Sequence, residues 1–87
     1  MFISVNHHIS NPGEFWDSAK KHLPQLPEPG VKRVCHVFPS LDMTEATCVW
    51  EADSIEKLDS YLRSKVGASS TETYFEINAP YAMGLPL

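Results

Sequence analysis

Two helix starts, Asn11-Pro12-Gly13-Glu14 and Asp53-Ser54-Ile55-Glu56, each come just after a strand-like run, and they constrain this chain more than any other feature. A polar cap followed three residues later by glutamate marks a helix N-terminus, because side chains can satisfy backbone N–H groups that the first turn leaves free. In the first start, Asn11 caps, Pro12 suits the first helical position and Glu14 is the box partner. Phe15, Trp16, Ala19 and Leu23 supply the apolar stripe, and Pro24 ends the helix. In the second, Asp53 caps and Glu56 answers it. Ile55, Leu58, Leu62 and Val66 share one face, Arg63 and Lys65 suit the C-terminal end, and Gly67 is the natural stop.

Four strands fit around these helices. Phe2 to Ile9 alternates Ile3, Val5 and Ile9 with Phe2, Ser4, Asn6 and His8. Val31 to Phe38 and Glu45 to Ala52 flank a turn region, Pro39 to Thr44, and the fourth strand covers about Thr71 to Asn78. Pro24 to Gly30 reads as a stiff connector within one domain, 1–87. The order strand-helix-strand-strand-helix-strand is the ferredoxin-like α+β plan, with a four-stranded antiparallel sheet in the order 4-1-3-2 and both helices on one face. The other face is then left without a helix to cover it. A chain of 87 residues builds only a modest core, so burial against a partner has much to add.

A hairpin turning around Leu41-Asp42 sets Cys35 opposite Cys48, Val34 opposite Val49 and His36 opposite Thr47. The helix-covered face is then Ile3, Val5, Ile9, Cys35, Val37, Cys48, Trp50, Phe75 and Ile77. The open face collects Ser4, Asn6, His8, Val34, His36, Phe38, Thr47, Val49, Glu51, Tyr74, Glu76 and Asn78. That mixture is too apolar for free water and too polar for an ordinary core, so a second sheet is expected to cover it.

The formal net charge of −4 argues against binding to nucleic acid or a membrane surface, both of which are met with basic patches. The start lacks a basic stretch leading into an apolar run, and no segment is apolar enough to span a bilayer, so a cytoplasmic protein is expected. Cys35 and Cys48 lack the close spacing of a zinc or redox motif and read as buried thiols. Glu45-Ala46-Thr47-Cys48-Val49-Trp50-Glu51 carries acids where an RNA-binding sheet needs basic and aromatic residues. Ile9-Ser10-Asn11-Pro12-Gly13 has no sulfur ligand for a soft metal.

At Val31-Lys32-Arg33-Val34-Cys35-His36-Val37-Phe38, and from Cys48-Val49-Trp50-Glu51-Ala52-Asp53 through the second helix, the chain resembles small uncharacterised proteins of the dimeric α+β barrel superfamily. The resemblance implies a homodimer in which two ferredoxin-like subunits set their open faces together around an interior able to hold a ligand. Superfamily relatives include small oxygenases, isomerases, stress-associated proteins and metal-binding barrels. The expected function is therefore a homodimeric barrel that binds a small ligand or divalent metal between its sheets. The alternatives are a small cofactor-independent oxygenase or isomerase, and a purely structural dimer.

Chemistry on the open face centres on histidine. Asn6, His8, His36, Glu51, Tyr74, Glu76 and Asn78 are the candidate ligand-binding residues. His8, His36 and Glu76 are the candidate metal ligands, since imidazole with carboxylate suits a divalent transition metal such as zinc, nickel or iron. The competing assignment makes them a hydrogen-bonded network that holds strand register. His7 alternates onto the helix side and His22 lies in the last turn of the first helix, so neither is a preferred ligand. The tail, 79–87, carries Tyr81, Met83, Leu85 and Leu87 among Pro80, Gly84 and Pro86, and is expected to be ordered and packed on protein, either over its own helices or across to the partner.

Overall fold

Alternation in the strands and polar caps on the helices act together in the computed structural model, which describes residues 1–86. Strands β1 (Phe2–Ile9), β2 (Val31–Pro39), β3 (Glu45–Ala52) and β4 (Ser70–Glu76) and helices α1 (Pro12–His22) and α2 (Ile55–Val66) follow in the order β1-α1-β2-β3-α2-β4. The sheet is antiparallel in the order β2-β3-β1-β4, which is 4-1-3-2 when read from the β4 edge.

Asn11 caps α1, its side chain accepting from the Glu14 N–H at 3.2 Å, while its own amide reaches Glu14 Oε2 at 3.2 Å. At α2 the cap is Ser54, one residue later than expected. Its hydroxyl accepts from Lys57 N–H at 3.1 Å, and Asp53 instead pairs with Lys57 at 3.3 Å. Ser54 has the extended backbone a cap needs, and its short hydroxyl reaches the third N–H of the turn. Gly67, at φ 57, ends α2 in a conformation that costs glycine little.

The core lies between the sheet and the helices. Ile3, Val5 and Ile9 of β1, Cys48 and Trp50 of β3, Phe15 of α1, and Leu58, Tyr61, Leu62 and Val66 of α2 are all buried there.

The β2–β3 hairpin is offset from expectation. Val37 lies opposite Cys48, His36 opposite Val49 and Val34 opposite Trp50. The Asp42 carboxylate accepts from Ser40 Oγ, Thr44 N–H and Thr44 Oγ1. This moves the centre of the turn towards the C-terminus and holds the Asp42 carboxyl below the usual carboxylate range. An offset of two residues keeps every side chain on its face. A bulge between Val34 and His36 then changes two assignments. Val34 joins the helix side, packed against the core, and Cys35 becomes the extra, half-buried residue of the bulge.

Strand β4 runs the other way up. Tyr74 lies opposite Val5 and Glu76 opposite Ile3, which places both on the helix side, while Phe75 opposes Ser4 on the open face. Tyr74 has room beneath α2 for its ring and finds Asp59 Oδ1 at 2.8 Å for its hydroxyl. Burial and that carboxylate together push its phenol up.

Candidate ligand groove on the open sheet face

The open face is built by strand alternation. Ser4, Asn6 and His8 come from β1, Arg33, His36 and Phe38 from β2, Thr47, Val49 and Glu51 from β3, and Thr71, Thr73 and Phe75 from β4. After β4, Ile77 N–H bonds the Phe2 carbonyl at 2.9 Å. A short 3-10 turn, Ala79–Tyr81, redirects the chain back across this face. Residues 82–85 lie beside His36, Phe38, Val49 and Ile77, enclosing a half-open groove of about 440 Å³. The tail runs beside the open face of its own sheet rather than over the helices, with Tyr81 and Met83 of its apolar residues 83% and 98% exposed. Leu87, counted among its apolar residues, lies outside the described residues.

His36 is the polar centre of the groove. Its Nε2–H donates to the Gly84 carbonyl at 3.1 Å, and its ring stacks on Phe38 at 5.5 Å and 13°. Donation from Nε2 leaves Nδ1 of the neutral ring as an acceptor.

The other expected site residues separate. Asn6 accepts from Thr47 Oγ1 at 2.8 Å on the open face. Glu51 is on that face but tied to Arg33 at 2.8 Å and Lys32 at 3.7 Å, and the Arg33 hydrogen bond holds its carboxyl low. Tyr74 and Glu76 are on the other side of the sheet. Asn78 stands at the head of the 3-10 turn, where its carbonyl accepts from Tyr81 N–H at 3.1 Å.

The expected metal set is not assembled. His8 faces Glu45 and His36 faces Val49, four residues apart along β3, with β3 itself between their strands. At strand spacings of about 3.4 Å per residue and about 4.8 Å between strands, the two histidines start roughly 16 Å apart. Glu76 is behind the sheet. Among the described residues no three His, Cys, Asp or Glu side chains gather in a metal-holding arrangement, and His8 instead approaches Glu45 at 3.8 Å.

The densest polar cluster is one the sequence did not single out. Under α1, His7 Nδ1–H donates to Glu72 Oε2 at 2.8 Å, both side chains being 1% exposed. Arg63 and Ser70 also donate to Glu72, and Arg63 reaches the Ser70 carbonyl at 3.0 Å. The signal for it was split across the chain. His7 alternates onto the helix side, but Arg63 and Glu72 belong to different elements and meet only when Gly67 turns the chain.

Burial, with the Arg63 charge, lowers the His7 pKa to about 4. The folded state therefore holds His7 neutral, so its contribution is fully present above the unfolded value of about 6.5 and is lost as pH falls from there towards 4. Wild-type stability to urea should fall by on the order of 3 kcal/mol across that window. His7→Gln should flatten the fall; equal slopes for the two proteins would rule this account out.

Fold and open face together define the class, a ferredoxin-like α+β subunit with helices on one sheet face only. Among solved structures the chain is similar to "Putative antibiotic biosynthesis monooxygenase from Nitrosomonas europaea", with 12% identity and a TM-score of 0.56 over 93% of each chain. That likeness is one of fold. No protein-family model and no curated protein matches the chain. Among the described residues no helix is long and apolar enough to cross a membrane.

Proposed function

We propose that the chain forms a homodimer by apposing two open sheet faces and holds a small, largely apolar ligand in the groove beside His36. The observation that carries this reading is the make-up of the face. Phe38 and Phe75 are 61% and 57% exposed in one subunit, with Val49 and Ile77 between the strands and the tail. Such a surface is an association patch, and self-association through a two-fold covers it at once on both copies.

The groove walls are apolar except for one imidazole. They suit a compact organic molecule with a single polar group that donates to His36 Nδ1. A second reading, a cofactor-independent oxygenase or isomerase acting on an enol or phenol, draws support from the fold shared with a protein described as a monooxygenase. In that reading His36 Nδ1 takes the substrate proton, with Gly84 fixing the tautomer.

Native mass spectrometry of untagged protein, purified without added metal, tests both parts. The expected result is a two-chain mass carrying a retained organic molecule. A one-chain mass at micromolar concentration overturns the dimer. A two-chain mass that stays bare, and takes up no phenolic or enolic probe, leaves a structural dimer.

A further inference from the structure

On the helix side of the sheet, away from that groove, we propose that a single water molecule is bound as a permanent part of the core, held between Trp50 Nε1 and His22 Nδ1. Both nitrogens are cut off from solvent, and neither has a hydrogen-bond partner among the described residues. Both residues line one small cavity between α1, α2 and the sheet, with about 30 Å³ open to a water-sized probe, walled mostly by apolar groups such as Phe15, Leu23 and Val37, with Ser18 and Lys65 also at its edge.

Size and chemistry agree on the occupant. The space open to a water-sized probe, about 30 Å³, exceeds the roughly 10–15 Å³ that admits a water. A wholly apolar cavity of this size stays dry, but this one has an indole N–H that can only donate and so needs an acceptor. Trp50 is 3% exposed and its ring is held edge-on to Tyr61 at 5.7 Å, so the indole is not free to turn towards bulk water. One water accepts from Trp50 Nε1–H and donates to Nδ1 of the neutral His22 ring. Leaving an indole N–H unpaired in the core costs more than immobilising one water. The bound water joins the end of α1 to β3, a seam that side chains alone leave unbonded.

The molecule contains its own control. Its second indole, Trp16 Nε1–H, already donates to the Met43 carbonyl at 3.0 Å. In nuclear magnetic resonance of nitrogen-15-labelled protein, the Trp50 indole proton should show direct cross-relaxation with a long-lived water, and the Trp16 proton should not. Trp50→Phe identifies the signal. His22→Leu, at a half-buried helix end that tolerates change, should reduce the Trp50 cross-peak at least fivefold by removing the second anchor. A folded wild type whose Trp50 proton shows no such water overturns the proposal, as does a cross-peak unaltered in His22→Leu. A high-resolution crystal structure is an independent test, with one ordered water in hydrogen-bond reach of both nitrogens in support and a dry cavity against.

Discussion

Replacing Glu72 with alanine should destabilise the fold by about 3 kcal/mol at pH 7, the largest loss expected from any single polar side chain here. The carboxylate is 1% exposed and accepts from His7, Arg63 and Ser70, which come from β1, α2 and the start of β4. Removing it strands the His7 N–H beneath α1 and leaves the Arg63 charge without its counter-ion. The loss stays below that of a wholly buried ion pair because Arg63 is 38% exposed and keeps its bond to the Ser70 carbonyl, so it can turn partly to water. Glu72→Gln keeps the shape and one acceptor, and should cost about half as much. Urea unfolding at pH 7 measures all of this, and a loss under about 1 kcal/mol for Glu72→Ala would show that the cluster contributes little in solution.

Placing glutamate at both Phe38 and Phe75 should turn the proposed dimer into a monomer, raising its dissociation constant at least about a hundredfold, or roughly 3 kcal/mol. Each ring is more than half exposed in the subunit, so the fold itself should lose little. Across an apposed pair of faces the double variant sets four carboxylates in a space that excludes water, where desolvation and mutual repulsion both oppose assembly. Leu41→Glu, at a fully exposed position in the hairpin loop, supplies the matched control for added charge. Sedimentation equilibrium decides the matter. A double variant that sediments as the wild type does would mean that the open faces do not meet.

Part of this architecture is local and can be read along the chain. The Asn11 cap with Glu14, the stripe through Leu58, Leu62 and Val66, and the period-two alternation of β1 and β3 each need only near neighbours. Ferredoxin-like connectivity follows from their order, and with it the bare sheet face. Asp53 against Ser54 at the α2 cap is a contest between adjacent residues that composition cannot decide, because both types cap well and the entry angle of the chain selects between them.

Other features depend on contacts between distant segments. In β4, the run Thr73-Tyr74-Phe75-Glu76 has an aromatic ring for each face, so alternation alone permits either way up. Asp59 waiting for the Tyr74 hydroxyl and His7 with Arg63 waiting for Glu72 decide it, and with it the separation of Glu76 from His8 and His36. The three candidate metal ligands stand apart within the subunit for the same reason: strand membership was legible, but register and bulges set the distances.

Capping and periodicity act within a few residues, so the elements, their connectivity and the existence of an uncovered, mixed sheet face are written in the chain itself. Which residues share that face, where the tail returns to make a groove with His36, and how His7, Arg63 and Glu72 come together are settled only once the chain has folded. Each of those depends on pairing energies between segments far apart in the chain, and local pattern carries no information about which pairing wins.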